Sequence, residues 1–379
     1  MRTGTYLKIA VAAALTAATA AVTPAAVAAP DTAARPAQAH VPAWHTSQAG
    51  TLSNFAMLSD IASVSPTSAW AVGIQHFDGF GQGVLLRWNG RAWQPESAPG
   101  LPETYTWNSV DATSAHDVWA YGWSTDHENL AHYDGKRWTE MPLPAGWGYG
   151  SKLAAVPGRV WLVSGSAINS YANGVWQTTP LPAGASMNAV EARTSDDAWV
   201  AGETLIVGQP RRTLLLHWDG SSWTDLAPAD SDVDITDVYQ ESARSVWATA
   251  LTPFKAGEVT QRSKVLHWDG SSWTDVTGPV DGPVDGLRAN AVTGDGKGTV
   301  WISGGRHNGY ESTALYWRFR DGVWTSVAGD SVPGGETNYY VINDLAPIGR
   351  TGQFWSVGSY QINTGDAPGE YELIQRSTR

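Results

Sequence analysis

Seven tryptophan phrases at even spacing, an Asn-Gly or Asp-Gly turn after most of them, and an unpartnered strand near each end predict an all-β fold. The fold class is a seven-bladed β-propeller with four antiparallel strands per blade, the N-terminal strand completing the last blade. The phrases are AWAVG at Trp70, VWAYG at Trp119, VWLVSG at Trp161, AWVAG at Trp199, VWATA at Trp247, VWISGG at Trp301 and FWSVG at Trp355. They recur about every 47.5 residues, the length of a four-stranded propeller unit.

Each element follows from local chemistry. A second tryptophan closes most units behind a tight turn: NGRAW to Trp93, DGKRW to Trp138, NGVW to Trp176, DGSSW to Trp223 and Trp273, and DGVW to Trp324. Asn-Gly and Asp-Gly accept positive φ at both centres of a two-residue hairpin, so each predicts a strand, a two-residue turn and a strand. The decamer LHWDGSSWTD at 216–225 returns unchanged at 266–275 and has this form. One unit then reads as an inner strand (LSDIASVS), a second (SAWAVG), a third (GVLLRW) and an outer strand (RAWQPES). After Trp355 only GEYELIQRS follows, without an outer-strand tryptophan, while HVPAWHTSQAG carries Trp44 with no phrase before it. Placing the Trp44 strand outermost in the last blade joins the two ends and removes two exposed sheet edges.

Residues 1–28 read as a secretory signal peptide. Arg2 and Lys8 precede an apolar run over Ile9–Ala21, and Ala26-Val27-Ala28 supplies small residues for cleavage. Residues 29–41 form a Pro/Ala-rich leader and 42–379 the propeller, so the expected product is secreted and extracellular. Without the signal, 22 basic residues face 36 acidic ones, a net charge of −14. That balance argues against nucleic acid and against anionic membrane surfaces as partners. There is no cysteine, which excludes disulfides, thiolate metal sites and cysteine nucleophiles. A monomer is expected, held by its core alone.

The succession VWAVG, LLHWDG and SSWTDLAP or KRWTEMPLP resembles the kelch-type repeat of galactose-oxidase-like propellers, over roughly residues 42–379. The resemblance implies a blade, not a reaction. Most units carry one glycine where that family has two, and only ISGG keeps the pair. Copper-radical oxidase activity, which in that family needs a cysteine cross-linked to tyrosine, is excluded.

Eighteen of the 21 tryptophans are repeat positions, counting Trp88, Trp218, Trp268 and Trp317 in third strands, where Tyr133 and Tyr171 stand in two units. Their expected task is packing between blades. Trp107, Trp123 and Trp147 lie off the pattern, in connections that emerge on one face around the second unit, with Tyr105 and Tyr149 beside them and Asp126 and His127 in the adjoining loop. Flat apolar rings with polar edges suit stacking against sugars or prolyl and aromatic groups. These seven residues are the candidate ligand site. Asn108, Asn188, Thr236, Asn290 and Asn343 near the inner-strand starts are expected to cap turns, with lining of the channel mouth as the other reading.

No catalytic constellation stands out, so no catalytic residue is assigned. His132, His217 and His267 fill one repeat slot and are scaffold; His76, His127 and His307 lack metal-ligand spacing, and no metal site is assigned. GDGKG at 294–298 and PVDGPVDG at 279–286 leave a structural calcium as the one cofactor still open, although neither has a known ligand spacing. The expectation is a secreted, non-catalytic module binding an extracellular glycan or peptide. The alternatives are a glycoside hydrolase or lyase using loop carboxylates or histidines, and a protein-interaction scaffold.

Overall fold

The computed structural model describes residues 42–379 except 48–51, 54, 146, 148–149, 166, 230, 255–260, 283–286, 307–312, 333–336 and 363–368. Strand β1 (Trp44–Thr46) comes first. The first blade is β2 (Ala56–Ser65), β3 (Ser68–Gln75), β4 (Gln82–Trp88) and β5 (Trp93–Pro95). The second is β6 (Thr106–Ser114), β7 (Asp117–Trp123), β8 (Glu128–Tyr133) and β9 (Trp138–Met141), and the third β10 (Gly150–Val156), β11 (Arg159–Ser164), β12 (Ala167–Ala172) and β13 (Val175–Pro180). The fourth is β14 (Ala185–Thr194), β15 (Asp197–Thr204), β16 (Arg212–Trp218) and β17 (Trp223–Asp225). The fifth is β18 (Asp234–Ser242), β19 (Ser245–Leu251), β20 (Ser263–Trp268) and β21 (Trp273–Asp275).

Here the sequence expectation of seven separate blades is corrected. There are five four-stranded blades, and the remaining strands form one eight-stranded sheet. It contains β22 (Leu287–Gly294), β23 (Val300–Arg306), β24 (Leu315–Arg320), β25 (Val323–Ala328), β26 (Thr337–Pro347), β27 (Phe354–Ile362), β28 (Gly369–Ser377) and β1. The join is a bridge between Gly305 of β23 and Val341 of β26. Gly305 is the second glycine of the ISGG phrase, and an added β-carbon there would meet Val341 and Tyr340 only at ordinary van der Waals distances.

The strand with Trp44 pairs with β28, Trp44 opposite Ser377, in the sheet that carries Trp355. Thr378 and Ala43 exchange hydrogen bonds beside it, Thr378 N–H to Ala43 O at 2.7 Å and Ala43 N–H to Thr378 Oγ1 at 2.8 Å. Trp44 is fully buried, stacked on Tyr316 at 4.0 Å and edge-on to Trp301 at 5.4 Å. The inner strands β2, β6, β10, β14, β18, β22 and β26 lie side by side in that order, and β26 returns to β2.

The repeat tryptophans pack between blades. Trp355 meets Trp88 and Trp93 of the first blade at 5.0 and 5.2 Å, and Trp199 meets Trp268 and Trp273 of the fifth at 5.9 and 5.6 Å. One assignment moves: Trp317 lies opposite Ile302, and Phe319 holds the place of Trp88, 5.1 Å from Trp324. The cause is the turn. Asp321 and Gly322, with φ of 51° and 79°, make a two-residue hairpin, as Asn173 and Gly174 do. In the other four units the expected two-residue turn is a four-residue loop, with Trp218 paired to Trp223 and Trp268 to Trp273. Asp219 Oδ1 accepts the N–H groups of Ser221 and Ser222 at 2.8 Å, so the loop wraps a carboxylate. Those bonds, Ser222 first, hold its carboxyl down at about 2. The repeated decamer is scaffold.

Candidate binding site and charged channel

All seven inner strands carry a one-residue bulge at the same point of their pairing with the second strand. The bulged residues are Ser59, Asn108, Ser151, Asn188, Thr236, Asn290 and Asn343. The phrase glycines answer this feature: a β-carbon on Gly73 or Gly202 would run into the Met57 or Ser186 carbonyl oxygen. The small polar side chains were expected to cap turns. Instead, four of them reach across to the following blade. Asn188 Nδ2 donates to Ile235 O at 3.0 Å, Thr236 Oγ1 to Ala289 O at 2.9 Å, Asn290 Nδ2 to Ile342 O at 3.5 Å and Asn343 Nδ2 to Leu58 O at 2.8 Å. Asn108, Thr236, Asn290 and Asn343 also line the channel mouth, the second reading of the sequence.

The residue after each bulge faces the centre, at positions that the tryptophan repeat does not mark. They include Asp60, Lys152, Asp237 and Asp344, with Ser109 in the second blade. Two residues further along stand Asp111 and Glu191. Several accept a backbone N–H from the next inner strand: Asp344 from Ile61 at 2.9 Å, Asp60 from Val110 at 2.9 Å, Ser109 Oγ from Leu153 at 3.1 Å and Asp237 from Val292 at 2.8 Å. Lys152 Nζ lies 3.0 Å from Asp60 Oδ1. The signal was present in SD, SVD, SK, AVE, TD and ND, each a charge within an otherwise apolar strand.

Enclosure and mutual charge set the protonation of this channel. Burial pushes the Asp111 and Asp237 carboxyls up to about 6. Burial, then the Asp111 charge, pushes Glu191 well above the carboxylate range, and burial with Asp60 beside it does the same to Asp344. Burial alone would also raise Asp60, but the Lys152 ammonium and the bonds from Asp344 and Ser109 hold it below the usual range. Lys152, although burial opposes its charge, is held above the usual lysine range by Asp60, Asp344 and Asp237.

On the loop face two hollows adjoin. A bowl of about 680 Å³ over the channel is lined by Met57, Phe77, Tyr105 and Trp123, with Lys152, Asp237 and Asp344 at its floor. A cleft of about 430 Å³ runs from Trp123 through Asp126, His127 and Glu128 to Trp147. Tyr105 and Trp123 stack at 4.8 Å, both half-buried, and neither polar edge has a hydrogen-bond partner among the described residues. Trp147 Nε1 donates to Glu128 Oε2, which also accepts from the Tyr121 hydroxyl. Asp126 and His127 pair with each other at 2.6 Å in the open, and His127 holds the Asp126 carboxyl below its usual range.

Of the candidates, the structure brings Trp123, Tyr105, Trp147, Asp126 and His127 to these hollows. Trp107 is not with them. It is 1% exposed, its ring packed over Gly83 and Gly122 in the core between the first two blades. It fills the apolar position that precedes each bulge, held by Leu58 and Ile235 elsewhere. Tyr149, His307 and the second half of the PVDGPVDG stretch lie outside the described residues. Within them, no group of three or more histidine and carboxylate side chains is arranged to hold a metal ion.

No family model matches the chain, and no curated protein sequence matches it. Solved structures do. YCF48 from Cyanidioschyzon merolae aligns with a TM-score of 0.55 at 17% identity, covering 88% of this chain and 98% of that one. A GH74 xyloglucanase from Xanthomonas campestris gives 0.56 at 13% identity over 88% of this chain, which spans only 55% of the xyloglucanase. The β-propeller domain of the Trilobed protease from Pyrococcus furiosus gives 0.53 at 9%, covering 85% and 94%. At these identities the likeness concerns architecture alone, and the chain is a β-propeller.

Proposed function

We propose that the chain is a secreted, non-catalytic binding module, exported by its first 28 residues, that takes an extracellular glycan or peptide on the loop face. The kelch-type character of its repeats belongs to the same reading. One observation carries it: Trp123 is a half-buried ring, its indole N–H without a hydrogen-bond partner among the described residues, that walls both the cleft and the bowl. Such a ring offers apolar area for stacking and a donor for orientation. Trp147 forms the opposite wall, its ring held by Glu128.

The test is a glycan and peptide array probed with the full chain, followed by Trp123→Ala and Trp147→Ala against the best ligand. Loss of one stacked ring is expected to weaken binding about tenfold or more, with melting nearly unchanged. Undiminished binding by both variants sinks the proposal. A second reading, glycoside hydrolysis, draws on Asp237 and Asp344 at the bowl floor, two carboxyls raised by burial. Release of reducing ends that disappears in Asp237→Asn would establish it.

A further inference from the structure

Beneath the ring of Asp60, Lys152, Asp237 and Asp344, the channel continues into a chamber that the loop-face site does not use. The channel volume is about 270 Å³. Asp111, Glu191, Tyr239 and Thr293 line the lower part, and Ala62, Ala154 and Ala346 leave room between them. Asp111 has partners, the N–H groups of Ala112 and Ala155, both at 2.7 Å. Glu191 has neither a hydrogen bond nor an ion pair among the described residues. Thr293, only 4% exposed, has a hydroxyl that is equally unpartnered there. A carboxyl and a hydroxyl that line the channel without a protein partner are open to a donor that enters it.

What enters has to bring positive charge and N–H groups. Five carboxyls line the channel against a single ammonium, Lys152. Among the described residues, no three histidine or carboxylate side chains are arranged to hold a metal ion. Lys152 shows which cation the wall accepts, an alkylammonium with a carboxylate at 3.0 Å. We propose that the chamber binds a small alkylammonium ion, its N–H groups donating to Glu191, Asp111 and the Thr293 hydroxyl. This site is separate from the loop-face proposal. Its ligand chemistry has two sources, a free amine or a lysine side chain reaching down from the bowl.

Charged groups facing Glu191 are Asp60, Asp111 and Asp237, with Tyr239 beside it and Lys152 and Asp344 in the ring above. Glu191 and Asp111 have to shed protons before an ammonium gains from them, so binding strengthens as pH rises. The experiment is calorimetric titration of the full chain with n-butylammonium at pH 5 and pH 8. Tetramethylammonium, which has the charge but no N–H, serves as a control, and a lysine tripeptide is the second arm. Expected are one butylammonium per chain, at least tenfold tighter at pH 8, and no tetramethylammonium binding. Glu191→Gln is expected to weaken binding tenfold or more, and Trp123→Ala to leave it unchanged. Thr293→Val, weakening it severalfold, is the second variant should Glu191→Gln fail to fold. A tripeptide that binds more tightly than butylammonium identifies a lysine side chain as the source, and weaker binding identifies a free amine. Absence of binding at both pH values overturns the proposal, as does equal binding by tetramethylammonium, by Glu191→Gln or, where that variant does not fold, by Thr293→Val.

Discussion

Replacing Lys152 with methionine keeps most of the side-chain volume and removes the one cation from a wall of carboxyls. At 3.0 Å from Asp60, its ammonium contributes about 5 kcal/mol of attraction at an effective dielectric constant near 20. Removing one partner of such an enclosed pair typically costs about 3–5 kcal/mol. Asp60 retains the Ser109 hydroxyl at 2.6 Å and the Val110 N–H at 2.9 Å, which places the expected loss near the lower end, about 3 kcal/mol. The loss has a pH signature. With Lys152 present, the depressed Asp60 carboxyl contributes stability above its unfolded value of 3.8, lost as pH falls through the lower folded value. Without the ammonium, Asp60, Asp237 and Asp344 repel one another and take up protons. The variant's deficit is therefore small at pH 4.5 and largest at pH 8. Urea unfolding followed by tryptophan fluorescence at pH 4.5, 6 and 8 measures it. A deficit below about 1 kcal/mol at pH 8, or one equal at all three pH values, refutes the electrostatic account of the ring.

The unaltered chain has its own pH dependence. Asp111 and Asp237 have folded values near 6 against 3.8 unfolded, so the folded state binds more protons in that window and stability drops as pH rises through 6. Each group accounts for a loss on the order of 2–3 kcal/mol by pH 8, and a melting temperature that is flat or rising from pH 5 to 8 contradicts this assignment. At the ring closure, Trp44→Ala removes a fully buried indole stacked on Tyr316 and is expected to cost about 3–5 kcal/mol, read as a lowered urea midpoint. An effect below about 1 kcal/mol there would mean that the N-terminal strand does not hold the last strands in place.

The blade plan was legible because it is written in local chemistry. Tryptophan, β-branched residues and Asx-Gly pairs recur at fixed intervals, and each acts on its own few neighbours. The loop-face site was legible in part. Trp123, Tyr105 and Trp147 stand out once eighteen tryptophans are assigned to packing, but Trp107 looked identical to them in sequence. What separates it is room: Gly83 and Gly122, on other strands, open the space into which its ring sinks. Turn lengths failed for a related reason. DGSS and DGVW share a dipeptide, yet in the four-residue loops NGRA, DGKR and DGSS the backbone N–H groups two and three residues after the Asn or Asp donate to its side chain.

By itself, the order of residues determined an all-β repeat, the positions of its packing rings and the strand that ties its ends. These depend on side-chain period and on turn preferences that operate over ten residues or fewer. Tertiary structure alone decided that eight strands share one sheet and that Asp60, Asp111, Lys152, Glu191, Asp237 and Asp344 surround a common axis. Those charges lie up to 284 positions apart in the chain. Their interaction depends on distance and on exclusion of water, and neither exists until the inner strands have closed into a ring.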